Sequence, residues 1–175
     1  LSPTGRAYLL YGLSLAGVDY GSMLDKLVAE PQGLSAYGKA LLALALFELG
    51  KREPAERLAN ELELAVAKAP APQGASWGEE DGPGWERDPV ESSAAVVRAL
   101  VLAKPVSARV GEAVRWLMAA REEDHWQSTR DTAMAVYALV DYLKKAGSEE
   151  LQAEVSAGLN GAPAGKVALG RAELL

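Results

Sequence analysis

Length, composition and charge place this chain among ordinary globular proteins. It has 175 residues, of which 49% are hydrophobic and 24% charged, and its 17 glycines and 9 prolines exclude collagen and low-complexity disorder. A domain of this length buries roughly two-thirds of the surface of its unfolded chain, so packing alone can stabilise it. The 18 Lys and Arg residues are scattered and are outnumbered by 24 Asp and Glu residues. We therefore expect no nucleic-acid partner, because the net charge of −6 would repel a polyphosphate.

The chain contains no cysteine. This excludes thiol catalysis, iron–sulfur clusters, thiolate zinc sites and disulfides, and it leaves both redox compartments open. The longest uncharged apolar stretch, from Ala7 to Val18, is shorter than the roughly 20 residues that cross a bilayer, and we see no signal peptide. We expect no membrane span. Because the chain starts at Leu1 without methionine and stops at Leu175 within a pattern, we also expect it to be part of a longer protein.

Proline and glycine divide most of the chain into helices. Three prolines lie in predicted first turns (Pro3, Pro54, Pro89) and three lie just past predicted ends (Pro31, Pro70, Pro105). Gly17, Gly50 and Gly147 are predicted left-handed C-terminal caps. The sequence thus predicts seven helices: 3–16, 21–29, 35–49, 54–68, 89–103, 108–121 and 129–146.

Two helix starts carry strong capping signals. Asp88 precedes Pro89 with Glu91 at the third helical position, and Ser128 stands three residues before Asp131. In the last helix Ala133, Val136, Tyr137 and Val140 recur with helical spacing, which predicts that they form its buried face.

The pattern changes after about residue 150, where we expect β-structure. The segment 154–159 alternates loosely, Asn160-Gly161 is a hairpin-type turn pair, and 166–169 is predicted to return as a second strand.

An internal repeat is the most informative feature of the sequence. Four segments share a small residue, four variable positions, a second small residue and a leucine, and they occupy 7–13, 40–46, 94–100 and 133–139. One further helix lies in each gap, so the unit is a two-helix hairpin. Small residues let neighbouring helices approach closely, and the leucines fill the layer between them. The unequal gaps favour a closed ring of hairpins, an α/α toroid, over a regular superhelix.

The segment from Trp126 to Tyr142, WQSTRDTAMAVYALVDY, resembles the last helical part of the thioester domain in the alpha-2-macroglobulin and complement family, including its bacterial-type members. Segment 34–45, Trp85 with 90–94, and 114–117 match in the same order. Residues 153–169 are similar to the strand pair with which the family chain enters its CUB-type β-domain. One departure is Arg130, where the family usually has Gln.

The resemblance implies a mainly α fold. Residues 1–147 would be the C-terminal half of a thioester-type α/α toroid with about seven helices, and residues 148–175 would begin the CUB-type β-domain with a short β-hairpin. Family members are extracellular or periplasmic endopeptidase inhibitors that collapse around a protease after it cuts a bait region. Their thioester joins a Cys and a Gln in a C-x-E-Q-type motif. This chain lacks the Cys, and none of its glutamines lies in such a motif.

The resemblance therefore implies a non-catalytic fragment. Its partners would be the other domains of its parent chain and, through the full-length protein, proteases. We assign no catalytic, cofactor-binding or metal-binding residue. The only histidine, His125, is expected in a solvated loop, as are the acidic runs Glu79-Glu80-Asp81 and Glu122-Glu123-Asp124. The loop from Pro70 to Asp88 carries Trp77 and Trp85, which we interpret as structural staples although a binding role stays open. Trp116 and Met118 are predicted core residues.

Two alternatives remain open: a glycosidase-like enzyme with the same ring architecture, which would need two opposed carboxylates, and a helical-repeat scaffold that binds proteins. Aromatic residues are only 6% of the chain and no D-x-D-D or D-D-x-x-D motif occurs, which argues against a terpene cyclase, and a prenyltransferase zinc site would need the missing cysteine. The first helix is apolar around most of its circumference. We expect it to support a symmetric homodimer of the fragment.

Overall fold

The computed structural model describes residues 1–65, 74–78, 88–105 and 107–146, together with the backbone of two strands at 153–159 and 162–169. In these ranges the chain is mainly helical, with seven α-helices and a short 3₁₀ turn, Pro31–Gly33. The α-helices are α1 (Pro3–Leu15), α2 (Gly21–Ala29), α3 (Ala36–Glu48), α4 (Arg52–Leu64), α5 (Pro89–Ala103), α6 (Ala108–Ala119) and α7 (Thr129–Ala146).

The seven helices confirm the helical pattern predicted from proline and glycine. Helix α4 begins two residues before Pro54 and ends at Leu64, whereas its predicted end falls outside the described residues. Gly17 and Gly50 have positive φ angles of 74° and 72°, and the amide after each donates to a carbonyl five residues back. This bond closes the predicted left-handed caps. Gly147 lies outside the described residues.

Both predicted N-terminal capping arrangements are confirmed. The Asp88 carboxylate accepts hydrogen bonds from the amides of Val90 and Glu91 at 2.8 and 3.0 Å. At the start of α7, Ser128 Oγ accepts from the Asp131 amide at 3.1 Å while the Asp131 carboxylate accepts from the Ser128 amide at 2.9 Å. Each cap satisfies amides that the first helical turn leaves unpaired.

Helix α3 lies at the centre of the core, in contact with α1, α2, α4 and α5. Helix α5 packs against α3, α4 and α6. The repeat helices α1, α3 and α5 thus lie side by side, and the intervening helices pack over them. Every residue of α3 from Ala40 to Leu46 is buried, and α5 is buried almost throughout from Val90 to Val101.

Small residues set how closely these helices approach. Both small positions are buried in α3 (Ala40, Ala45) and in α5 (Ala94, Ala99). Where α1 meets α3, a Cβ atom added to Gly38 would lie 2.7 Å from Thr4 Oγ1, so only glycine fits there. The repeat leucines of α3 and α5 are fully buried, while Leu13 and Leu139 on the outer helices are half-buried. The second small position of α1, Gly12, is exposed.

The predicted buried face of α7 is wrong. Val136, Tyr137 and Val140 are 45%, 59% and 40% exposed, and Ala133 is exposed as well. Among the α7 side chains that the structure describes, the buried ones are Asp131, Ala135 and Ala138. The capping carboxylate of Asp131 lies on the same side of the helix as these two alanines, and Arg130 and Asp141 pair with residues of α5. The cap and the two ion pairs therefore decide which face of α7 is buried, against the hydrophobic periodicity.

The second compact unit comprises residues 143–175. Its strands β1 (Ala153–Leu159) and β2 (Ala162–Leu169) pair antiparallel, with Val155 opposite Val167 and a register shift between Ala157 and Gly158. The predicted turn pair Asn160-Gly161 lies outside the described residues. None of the helices in the described ranges is both long and apolar enough to cross a membrane.

Removing the cap of α7 should destabilise the helical unit. We expect Ser128→Ala to lower the free energy of unfolding by about 1 kcal/mol, because the Asp131 amide loses its acceptor. Thr129→Ala at the exposed neighbouring position is the matched control and should change it by less than about 0.5 kcal/mol. Thermal and urea unfolding measure both. Equal stability of the two variants would contradict the capping geometry.

Candidate functional site

The first turns of α3, α5 and α7 bring together a polar cluster of Tyr37, Glu91 and Arg130. Glu91 is the third residue of α5, placed there by the Asp88 cap, and Arg130 is the second residue of α7, placed there by the Ser128 cap. Tyr37 is the second residue of α3 and is almost completely buried. The caps therefore fix the side chains that meet in the cluster.

Glu91 is a buried carboxylate with an incomplete set of partners. Its side chain is 6% exposed, and Oε2 lies 2.8 Å from Nη2 of Arg130, whose own side chain is 45% exposed. The N–H groups of Arg130 do not point at this oxygen, and no hydrogen bond from the described residues reaches it. Instead Nη2 donates a long bond of 3.4 Å to the hydroxyl of Tyr37. The ion pair thus offsets only part of the cost of burying the charge.

Burial dominates the electrostatics of the cluster. It raises the pKa of Glu91 from 4.5 to about 7; Arg130 opposes the rise, and the carboxylates of Asp88 and Asp131 add to it. Burial also raises the pKa of the Tyr37 hydroxyl, against the effect of its hydrogen bond with Arg130. Near neutral pH the cluster can therefore hold or release a proton at Glu91.

A second polar network joins three of the repeat helices. Arg98 of α5 donates to the Asp141 carboxylate of α7 at 2.7 Å and to the hydroxyl of Tyr11 on α1 at 3.1 Å. Its guanidinium also lies 5.7 Å from the ring centre of Tyr137. This side chain is mostly buried, so its ion pair is screened less than a surface pair and holds α7 against α5.

Sequence reasoning missed both networks, although a signal for them exists. Glu91 and Arg98 are the only charged residues in the otherwise apolar or small run from 90 to 103. A charge within a helix that is buried on all sides needs a partner, so Glu91 and Arg98 each indicate an oppositely charged residue elsewhere in the fold. The partners, Arg130 and Asp141, lie about forty positions away in the sequence, where spacing alone cannot identify them.

The residues that the sequence singled out lie apart from these networks. His125 is exposed in the turn between α6 and α7, 3.0 Å from Asp124, as expected for a solvated histidine. The run Glu122-Glu123-Asp124 is exposed in the same turn, and Glu123 has a positive φ of 55°. Glu79-Glu80-Asp81 and Trp85 lie outside the described residues.

Trp77 acts as a structural staple. Its indole N–H donates to the Leu62 carbonyl at 2.8 Å, and its amide donates to Ser93 Oγ at 2.9 Å, so it fastens its segment to α4 and α5. It also lines a cavity of about 260 Å³ together with Leu34 and Lys39. Because Lys39 is paired with Glu61 and the other lining groups are mainly apolar, this cavity presents no reactive group.

The prediction of two core residues on α6 is half correct. Trp116 is partly buried and packs against the core, but Met118 is 42% exposed. Trp116 and Met118 are two positions apart, so they lie on different sides of the helix. The buried side of α6 is formed by Val110, Ala113 and Leu117.

In the ranges that the structure describes, no three His, Cys, Asp or Glu side chains are grouped to hold a metal ion. Three carboxylates at the contact between α5 and α7 are each engaged by another group. Glu91 forms an ion pair with Arg130, Asp131 caps α7, and Asp141 forms an ion pair with Arg98. No protein-family model and no curated protein matches this chain.

The buried Glu91 should make stability depend on pH. The folded state keeps the Glu91 proton up to about pH 7, whereas the unfolded chain releases it near 4.5. The stability that the neutral carboxyl contributes is therefore complete below pH 4.5 and is lost as the pH rises to 7. We expect Glu91→Gln to raise the free energy of unfolding at pH 8 by up to about 3 kcal/mol and to change it little at pH 4.5.

Urea unfolding at both pH values measures this effect. Glu61→Gln, which breaks the exposed pair with Lys39, is the matched control and should cost less than about 1 kcal/mol at either pH. Arg130→Gln should destabilise the protein more at pH 8 than at pH 4.5, and this difference should vanish in the Glu91→Gln background. A Glu91→Gln effect that is the same at both pH values would contradict the buried charge.

Proposed function

We propose that residues 1–147 are the C-terminal half of a thioester-type α/α toroid, serving as a non-catalytic module of an alpha-2-macroglobulin-like protease-trapping protein. The observation that supports this proposal most is that residues of the segment resembling the family, Trp126 to Tyr142, form one hydrogen-bonded arrangement at the start of α7. The Trp126 indole donates to the Leu117 carbonyl at 2.8 Å, and the Trp126 amide donates to Thr132 Oγ1 at 3.0 Å. With the box of Ser128 and Asp131, this set fixes where α7 begins.

The repeat supports the toroid. Helices α1, α3 and α5 lie side by side, each is followed by a helix of the other layer, and α7 joins α5 through Arg98 and Asp141. A ring of hairpins repeats this arrangement until it closes. The antiparallel pairing of β1 and β2 supports the assignment of 148–175 as the first strands of a CUB-type β-domain.

The departure from the family at Arg130 has a local explanation. A glutamine at this position would leave the buried Glu91 carboxylate without a neighbouring cation, and here Arg130 supplies one at 2.8 Å. This supports a role for the motif in packing the helices, since the changed residue still joins α7 to α5 and α3.

A trap of this kind works by steric enclosure. Without a cysteine the chain cannot form the family's thioester, so its own part in the trap is to pack against other domains of the parent chain as they enclose a protease. The proposed location is extracellular or periplasmic, where such proteases are met.

One observation favours the glycosidase alternative. A carboxyl with a pKa near 7 has the property of a general acid, and Glu91 has that property. However, Oε2 of Glu91 is shielded from solvent, and the two carboxylates that act on it, Asp88 and Asp131, both serve as helix caps. A helical scaffold that binds a protein in a groove remains the other alternative.

Substrate size distinguishes a trap from other inhibitors. We expect the gene product that carries this chain to reduce the activity of endopeptidases on a large protein substrate while leaving activity on a short chromogenic peptide intact. Enclosure excludes only the large substrate. The isolated 175-residue chain is the matched control and should affect neither activity. Equal loss of both activities, or no loss of either, would contradict trapping.

The isolated chain should also show no covalent or hydrolytic chemistry. After incubation with methylamine and with amine or sugar-ester probes, we expect its intact mass to be unchanged, because it has no thiol nucleophile. An adduct on a glutamine side chain would contradict this. Hydrolysis of chromogenic glycosides that disappears in Glu91→Gln would instead support the glycosidase alternative.

A further inference from the structure

Helix α7 is attached to the rest of the helical unit differently from the other helices. Within the described ranges, the backbone contacts between helices are concentrated among α1 to α6, and α7 approaches its neighbours only sparsely. Its buried side chains, Asp131, Ala135 and Ala138 among those described, include no large apolar group. Their burial therefore contributes little hydrophobic stabilisation, and the ion pairs of α7 with α5 matter correspondingly more.

The C-terminal end of α7 is held by polar and apolar contacts together. Arg98 donates to the Asp141 carboxylate at 2.7 Å, and its guanidinium lies 5.7 Å from the ring centre of Tyr137. We call these three residues the Arg98 clamp. Leu139 and Tyr142, on the same part of the helix, are partly buried against the core. Several independent contacts thus fix this end.

The segment just before α7 is fixed as well. The indole of Trp126 is buried and donates to the Leu117 carbonyl of α6 at 2.8 Å. Between Trp126 and the Arg98 clamp lie the first two turns of α7, residues 129–135, which we call the latch. Its polar contact with α5 and α3 is made by Arg130.

This contact of the latch is poorly suited to an ionised partner. Glu91 is 6% exposed, and Nη2 of Arg130 lies 2.8 Å from its Oε2 without directing an N–H group at it. One misaligned cation does not offset the cost of keeping a carboxylate out of water. A protonated Glu91 avoids that cost, so the closed latch favours the neutral carboxyl.

Ionisable groups from four helices lie in this cluster with Glu91: Tyr8 of α1, Tyr37 of α3, Asp88 at the cap of α5, and Arg130 and Asp131 of α7. Burial raises the pKa of Glu91 to about 7, and the attraction of Arg130 only reduces that rise. Arg130 keeps its charge at all relevant pH values, and burial raises the pKa of Tyr37 above its ordinary value of 10. The charge of Glu91 is therefore the one that changes close to neutral pH in the pair that holds the latch.

We propose that the latch is a proton-controlled switch, which closes on α5 and α3 while Glu91 is protonated and opens locally when Glu91 releases its proton to solvent. In the open state Arg130 and Asp131 move away, so water reaches the ionised carboxylate. Trp126 and the Arg98 clamp stay in place on either side. Acidification closes the latch, and a rise in pH opens it.

The pH range of the switch follows from the two states of Glu91. The closed state keeps its proton up to about pH 7, whereas a hydrated carboxyl releases it near 4.5. The open population therefore rises between these pH values and stays constant above them. Such a local opening is distinct from the unfolding of the whole helical unit, and it depends on the contacts of α7 alone, so its failure would leave the proposed function untouched.

Cysteine substitutions measure the opening site by site, because the chain has no thiol of its own. Ala135→Cys reports the latch, Ala138→Cys reports the next turn beside the Arg98 clamp, and Ala43→Cys reports the middle of α3; all three alanines are fully buried. Each folded variant is labelled with a pyridyl disulfide at pH 5 and pH 8, with and without urea below the unfolding transition. The labelling rate, divided by that of the unfolded chain at the same pH, gives the opening constant.

At pH 8 the opening constant at Ala135→Cys should exceed those at Ala138→Cys and Ala43→Cys by at least about tenfold, and it should depend little on urea because little surface is exposed. At pH 5 it should be at least about tenfold lower. Adding Glu91→Gln should keep it at the pH 5 value at both pH values, because the amide cannot ionise.

Three results would overturn the switch. Equal and strongly urea-dependent opening at all three positions would mean that α7 opens only when the whole unit unfolds. Opening at Ala138→Cys as large as at Ala135→Cys would mean that the Arg98 clamp does not hold. A local opening that is independent of pH, or whose pH dependence survives Glu91→Gln, would mean that Glu91 does not control it.

Amide hydrogen exchange of the unsubstituted chain gives the same test if a cysteine variant does not fold. After division by the intrinsic rate at each pH, the protection of the latch amides Ala133 to Ala135 should fall at least about tenfold from pH 5 to pH 8, and Glu91→Gln should abolish the fall. Glu61→Gln, on an exposed pair, is the matched control and should behave like the parent chain. Latch protection at pH 8 as high as that of α3 would contradict the switch.

Discussion

Close approach of α3 and α5 to their neighbours is the constraint on which the rest of this structure depends. Both helices are buried around nearly their whole circumference, which is possible only because alanines occupy the repeat's small positions. Protein interiors are packed so densely that even one added methylene group lowers stability. The small residues therefore fix the distance between the helices, and the leucines fill the layers between them. The caps that start each helix then set the register in which these residues meet.

This constraint also explains where the charged groups lie. With α5 buried almost throughout, Glu91 and Arg98 both find their oppositely charged partners on α7, and the two ion pairs hold the two ends of α7 against the packed helices. Arg98 is satisfied by a carboxylate and a tyrosine hydroxyl, whereas Glu91 remains incompletely bonded and retains a raised pKa. The pair of Arg98 and Asp141 therefore stabilises the helix packing at every physiological pH. The pair of Arg130 and Glu91 makes the stability of the packing depend on the protonation of Glu91.

Much of the fold could be read from the sequence, because helix boundaries depend on local signals. The caps at Asp88 and Ser128 and the left-handed glycines act within a few residues, so their pattern is visible in one dimension. The buried face of α7 could not be read in this way. Hydrophobic periodicity favoured Val136 and Val140, but the packing selects the smaller Ala135 and Ala138. The partners of Glu91 and Arg98 were also out of reach, since they depend on contacts between distant segments.

Placing the same substitution at two equivalent repeat positions tests the central claim most directly. Ala94 on α5 and Ala133 on α7 occupy the same repeat position, but the first is buried and the second exposed. Alanine to leucine costs similar helix propensity at both, so any difference in unfolding free energy, measured with urea on the dilute chain, reports packing. The account predicts that Ala94→Leu loses at least about 2 kcal/mol and that Ala133→Leu changes by less than about 0.5 kcal/mol. Equal effects at the two positions would contradict it.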